Sequence, residues 1–299
     1  MQVVIVTGGG KGLGKAIALE YAAATATAAA AATATAAAAA TATAAATATA
    51  TPTATATPTA RATPTASESV VVVLLGRELS ALSAAAAELT QATCVVKAVD
   101  LTQVRTLPSV LAELETELAG VVLGNAVTRA VLVNNAGSLG DIAHTVQDYD
   151  VGALPAYFDM NVTAFAQLSS WFLKLGKTIG AQQRVLVNVS SLLAVQPFPY
   201  WGVYAAGKAA RDQLYAVIAK EEEANSVLTL NYAPGPLDND MQLAVRSQIG
   251  DVAQRTYYTA AFNDSKLVPM KDSAGKLVHL LLTPGSFTSG SHVDFYDAK

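Results

Sequence analysis

Two residues in the stretch "VYAAGKAARD", Tyr204 and Lys208, have the types and spacing to move a proton. Four residues apart on a helix, their side chains lie one turn apart on one face. A free tyrosine loses its proton only near pH ~10, and a neighbouring ammonium favours the phenolate. Bringing that pKa down by ~3 units takes about 4 kcal/mol, which nearby charges supply only where water is excluded. Tyr-x-x-x-Lys by itself decorates many helix surfaces, so the pair needs company. Ser191 ends the apolar run "VLVNVSS", and the "NNAG" of residues 134–137, which includes Asn135, ends another. Asn161 follows in a helical stretch. If these are parallel strands, all four segments meet at their carboxyl ends, where the cleft of such a sheet lies.

A second constellation could hold phosphate. "VVIVTGGGKGLGKAIALEYA" reads as strand, glycine-rich turn and helix, with Gly8, Gly12 and Gly14 in a G-x-x-x-G-x-G spacing and Leu13 between the last two. Glycines let the backbone approach a pyrophosphate, and the helix start offers free N–H groups and the positive end of its dipole. The second strand then ends "LLGRE", with Arg77 where an acidic residue would bind a ribose 2′-hydroxyl. A guanidinium suits a 2′-phosphate, so NADP is expected over NAD, with Lys11 as a second cation. Glu78 could reach the ribose instead, and both cations also read as solvated surface charge. Asp100, followed by Leu101, closes the third strand; its carboxylate could accept from an adenine amino group or cap the next helix.

Positioning these groups is the work of alternating elements. Ungapped Val- and Leu-rich runs at 3–7, 70–75, 94–100, 130–137, 184–191 and 227–235, with another at 291–296, read as strands buried on both faces. Helical patterns fill 78–90, 105–119, 155–175 and 204–224. The alternation predicts an α/β fold, a Rossmann-type doubly wound parallel sheet forming one domain over residues 1–299. An Ala/Thr tract at about 22–66 interrupts it, in a place that needs only a few residues. Alanine favours helix, threonine weakens it, and Pro52, Pro58 and Pro64 stop it, so a frayed helix and then a disordered loop are expected there, leaving the sheet opposite the cleft.

The rest bounds the function. A net charge of −4 without a basic block argues against a nucleic-acid partner. The Ala/Thr tract lacks the run of ~20 strongly apolar residues that a membrane span needs. A single cysteine, Cys94, excludes an intrachain disulfide and suits a reducing compartment. With no signal-peptide pattern at residue 1, a cytoplasmic setting is expected and the three Asn-x-Ser/Thr sequons read as chance. No metal site is indicated.

Taken together, Thr7–Gly14, "NNAG", Asn161, Ser191, Tyr204-x-x-x-Lys208 and the "PGP" of 234–236 resemble the short-chain dehydrogenase/reductase family. Ser191 precedes Tyr204 by thirteen residues, as is usual there. The resemblance implies that Tyr204 gives its proton to a forming alkoxide, Ser191 donates to the same oxygen, Lys208 holds the cofactor ribose and tunes Tyr204, and Asn161 positions a water leading from Lys208 to solvent. It also implies that Pro234 and Leu237 lie against the nicotinamide. "NNAGSLGD", "SSLLAVQPF", "LNYAPGPLDNDM" and "SGSHVDFYD" are closer still to the branch of that family that reduces pterin side-chain carbonyls with NADPH in the last steps to tetrahydrobiopterin. In that branch the position of Asp294 anchors the pterin, and the protein is a homodimer packed through helices at about 160–178 and 204–223. Other ketones or dicarbonyls as substrate, and a non-catalytic dinucleotide-binding regulator, are the alternatives. Tyr200 and Trp201 either wall the pocket or pack beneath it. Residues 242–268 match the branch poorly, as does the tract.

Overall fold

The strands form because their residues are β-branched or leucine and can be covered on both faces. β1 (Gln2–Thr7), β2 (Val70–Gly76), β3 (Thr93–Ala98), β4 (Arg129–Asn134), β5 (Gln183–Val189), β6 (Val227–Ala233) and β7 (His292–Asp294) pair in one sheet of order β3-β2-β1-β4-β5-β6-β7. Every pairing is parallel. The computed structural model describes residues 1–47 and 69–297.

Alternation along β1 splits the core in two. Val4 and Val6 face a layer containing α1 (Gly12–Thr47), α2 (Leu79–Glu88) and α9 (Met270–Leu282), while Val3 and Ile5 face α3 (Leu107–Val122), α5 (Ala164–Thr178) and α6 (Gly202–Glu221). The crossover direction reverses between β1 and β4, so the chain parts above their carboxyl ends and leaves a crevice there. The doubly wound α/β expectation holds, and the strand ends lie within three residues of the expected ones.

Three elements depart from the expected pattern. The helix expected over 155–175 is α4 (Leu154–Phe158), a π-helical turn (Asp159–Thr163) and α5. The turn frees the Asn161 carbonyl, which the buried guanidinium of Arg211 takes. Second, α7 (Asp240–Gln248) and α8 (Val252–Asn263) fill residues 242–268, which match the branch poorly, and α9 follows them. Third, α1 carries on into the Ala/Thr tract as regular helix to Thr47. Alanine carries it, and Thr25, Thr27 and Thr35 each return a hydroxyl bond of 2.9 Å to the carbonyl four residues back. In its first part Ile17, Tyr21, Ala22 and Thr25 are buried, and Tyr21 donates to Gln2 Oε1 at 2.5 Å at the foot of β1. The sheet resumes at that same edge, where Gln2 N donates to Ser69 O at 2.8 Å. Pro52, Pro58, Pro64 and the expected loop lie outside the described residues.

Thr25 is the last buried side chain on α1 among the described residues. Replacing residues 30–67 by a short Gly/Ser turn is therefore expected to lower the melting temperature by less than about 2 °C, the scale of a surface change. Differential scanning calorimetry checks this, and a loss above about 10 °C would show that the tract packs onto the domain.

Candidate active site

The glycine loop between β1 and α1 is built by close approach. A Cβ on Gly14 would sit 2.4 Å from the Gly8 carbonyl oxygen and 2.6 Å from Asn135 Nδ2, so the helix starts directly against the strand end only with glycine there. Gly12 has φ +58°, and a Cβ on it would have Met270 Sδ, 3.9 Å away, as its nearest contact. The first turn of α1 therefore opens its N–H groups onto free space. Asn135 donates to Thr7 O at 2.9 Å and Thr7 Oγ1 accepts from Ala136 N at 2.9 Å, which ties the loop to the end of β4.

That space is a cavity of about 1320 Å³ running across the carboxyl ends of the strands. Gly8, Lys11, Gly12, Leu13, Arg77, Asp100, Leu101, Asn135, Ser191, Tyr204, Lys208, Pro234, Leu237 and Asp294 all line it. Gly14 and Asn161 stand behind the lining. The cavity is long and lined by a helix start, an exposed guanidinium and apolar walls, so it fits a dinucleotide. Arg77 has no hydrogen-bond partner among the described residues. Lys11 does not stand beside it as a free second cation: its ammonium lies 2.6 Å from Asp240 Oδ2 at the start of α7, both side chains being exposed. That hydrogen bond raises the pKa of Lys11. Asp100 caps the next turn rather than α3, whose N-cap is Thr106, by accepting from Thr102 N at 3.0 Å and Thr102 Oγ1 at 2.8 Å.

Tyr204 and Lys208 project from α6 into the floor of the cavity, both buried. Ser191 begins the short turn after β5, its hydroxyl accepting from Leu193 N at 3.2 Å and lining the same cavity as the Tyr204 phenol. Burial pushes the Tyr204 phenol up to about 12, with the Ser191 hydroxyl and the Arg211 charge pulling it back. Burial also takes the Lys208 ammonium well below its ordinary value, and Arg211 adds to that. The lysine's Nζ donates to Val189 O at 2.6 Å and lies 5.5 Å from the Tyr204 ring centre. In the chain alone, the low dielectric thus drives the tyrosine–lysine pair toward its neutral form. Asn161 is spent inside the chain: Oδ1 accepts from Ser138 N, Nδ2 donates to Ser138 Oγ and Tyr157 O, each at 2.9 Å, and its carbonyl takes Arg211. Trp201 both lines the cavity and packs, with Nε1 donating to Gln254 at 2.7 Å, whereas Tyr200 packs beneath it against Ile249 and its neighbours.

Sequence reasoning missed three groups. Arg211 and Asp212 lie three and four residues beyond Lys208, so helical periodicity puts them on its face; "KAARD" carried that signal. Arg211 is buried and also donates to Ala136 O at 3.2 Å from both terminal nitrogens. Gln242 lines the cavity with both amide atoms buried and without a hydrogen-bond partner among the described residues, which suits a polar ligand group. Nothing in the sequence around it marks that role.

Residues 58–250 match the family model of the short chain dehydrogenases. The chain is 40% identical over 180 residues to the sepiapterin reductase of Xenopus tropicalis, covering 60% of this chain and 68% of that protein. It is 44% identical over 170 residues to the sepiapterin reductase of Mus musculus, covering 56% of this chain and 64% of the relative. The matched part thus spans about two thirds of the length of these relatives. A short chain dehydrogenase/reductase from Saccharomyces cerevisiae shares the fold, with a TM-score of 0.71 at 21% identity over 99% of this chain and 97% of that one.

A Gly14→Ala substitution has no room that does not move backbone. It is expected to weaken nicotinamide dinucleotide binding at least about tenfold, or about 1.4 kcal/mol. Titration by quenching of tryptophan fluorescence measures it, and unchanged affinity would show that the loop does not carry the ligand.

Proposed function

The chain belongs to the short-chain dehydrogenase family, and within it we propose an NADPH-dependent carbonyl reductase of the sepiapterin reductase type, acting on side-chain keto groups of pterins. One observation carries this reading: Ser191, Tyr204 and Lys208 face the same cavity as Asp294, a carboxylate from the far end of the chain. Such a cavity can hold both a carbonyl at the phenol and a polar two-donor edge some way from it.

The residues divide the work as follows. Arg77, the start of α1, Asn135, Pro234 and Leu237 hold the dinucleotide, with Asp100 and Leu101 at its adenine end, and the exposed guanidinium favours the 2′-phosphate of NADPH. Bound, the nicotinamide supplies the hydride. Tyr204 keeps its phenolic proton in the buried site and gives it to the substrate oxygen as negative charge develops there, and Ser191 donates a second hydrogen bond to that oxygen. Lys208, fixed on Val189 O, supports the phenolate left behind. Asp294 accepts from the 2-amino group and N3–H of a pterin, and this fixes the side-chain carbonyl against Tyr204. The likeness to sepiapterin reductases over about two thirds of their length supports the pterin as substrate, and with it a cytoplasmic homodimer packed through α5 and α6. Among the described residues no helix is long and apolar enough to cross a membrane.

Incubation with sepiapterin and NADPH, followed by the loss of pterin absorbance, tests the reading; turnover with NADH is expected to be far slower. Tyr204→Phe removes the proton donor and is expected to lower kcat by about 10²–10⁴-fold. Unchanged turnover in that variant would remove Tyr204 from the chemistry.

A further inference from the structure

Asp294 stands on a strand of three residues at the edge of the sheet. Its neighbours across β6 are fixed as Asn231↔His292, Tyr232↔Val293 and Ala233↔Asp294. Side chains alternate along a strand, so His292 and Asp294 share one face and Val293 the other. Val293 packs into the cluster on the α9 side. A slip of one residue would turn Asp294 away from the cavity, and a pairing this short specifies its register weakly through the backbone alone.

A partly buried polar hub supplies what the backbone lacks. His292 Nδ1 lies 2.6 Å from Asp212 Oδ2, with 20% and 13% of the two side chains exposed. The other carboxylate oxygen of Asp212 accepts from Ser190 Oγ at 2.5 Å and Asn188 Nδ2 at 2.8 Å. Asp212 is one helical turn from Lys208, and Ser190 precedes Ser191, so the hub ties the last strand to the elements that carry the reacting groups. From the other side Lys276 of α9 holds the carbonyls of Asp294, Phe295 and Asp297 at 3.3, 2.6 and 2.7 Å.

We propose that the His292–Asp212 pair is a positioning device for substrate recognition: it locks the register of β7 and so fixes Asp294 relative to Tyr204. The proposal rests on Asp294 as the pterin anchor. The ionisable groups facing His292 are Asp212 from α6 and Asp294 and Asp297 from its own segment, with Lys276 from α9 beyond them. The hydrogen bond to Asp212 raises the pKa of His292 above 6.5. The charged pair is thus complete at low pH and is lost as pH rises through that raised value. Substrate KM rises with it, while kcat and the cofactor site, which His292 does not touch, stay as they are.

The test is steady-state kinetics of the full chain with NADPH, on sepiapterin and on a small vicinal diketone without a pyrimidine edge, between about pH 6 and 9. His292→Ala is expected to raise KM for sepiapterin about tenfold, with kcat and the diketone KM within about twofold. His292→Asn keeps a donor in the Nδ1 position without the charge. It is expected to recover only the part of that loss that does not depend on charge, leaving KM near that of the unaltered chain at alkaline pH, and to abolish the pH-dependent rise. Asp294→Ala, run in parallel, separates the two ideas. If it leaves KM for sepiapterin unchanged, the anchor reading falls and this proposal with it. If it raises KM while His292→Ala does not, this proposal alone is overturned. Should His292→Ala fail to fold, an alkaline rise that persists in His292→Asn overturns the proposal as well.

Discussion

Two basic side chains sit side by side on one face of α6, Lys208 and Arg211, both buried and neither within ion-pair distance of a carboxylate among the described residues. Removing a charge from water costs several kcal/mol even after relaxation, so each must be met by other polar groups. Here those are backbone carbonyls: Val189 at the end of β5 for the lysine, Ala136 after β4 and Asn161 in the π-helical turn for the arginine. The ends of two strands and the kink of a helix are thereby tied to one helical face. Much of the local architecture follows from this requirement. The π-helical turn, which strands a carbonyl that an unbroken helix would use, is stable because a guanidinium occupies it.

The same burial sets the electrostatics of the site. Carbonyl dipoles solvate a cation without neutralising it, so positive potential persists around Tyr204. The low dielectric that pushes the phenol up also strengthens every charge near it. Ser191 and Arg211 oppose the desolvation of the phenolate, while the lysine itself is driven toward neutrality. Arg211, which keeps its charge far more readily than a lysine, is thus a steadier source of potential in this site than Lys208. On the acidic side, Asp212 gathers Asn188, Ser190 and His292, so α6 presents two basic groups and one carboxylate to three strands. The ends of β4 and β5 and the segment that carries Asp294 are thus tied to one helix.

Legibility in the sequence followed the range of the physics. Strands buried on both faces leave continuous apolar runs, so β1 through β6 were readable from Val and Leu alone. The glycine loop was readable because Gly12 and Gly14 answer local demands, an unusual φ and a contact with a residue six positions earlier. Tyr204 and Lys208 were readable because one helical turn is a local spacing. α8 left little signal, since none of its residues is buried, and α1 shows no apolar stripe beyond its first turns. A frayed helix was expected in the tract ahead of its prolines, and α1 runs as helix to Thr47, its threonines bonding back to carbonyls four residues earlier.

The sequence by itself determined the fold class and the local patterns of the glycine loop and of the Tyr204–Lys208 spacing, because each depends on patterns within a few residues or on repetition along the chain. Only the tertiary structure decided what surrounds them. That Lys11 meets Asp240, 229 residues away, that Arg211 takes the Asn161 carbonyl, and that His292 reaches Asp212 are all contacts between distant segments. Their geometry comes from how the sheet and helices pack. Burial, which moves the Tyr204 proton affinity, is likewise a property of the assembled core and has no counterpart in the order of the residues.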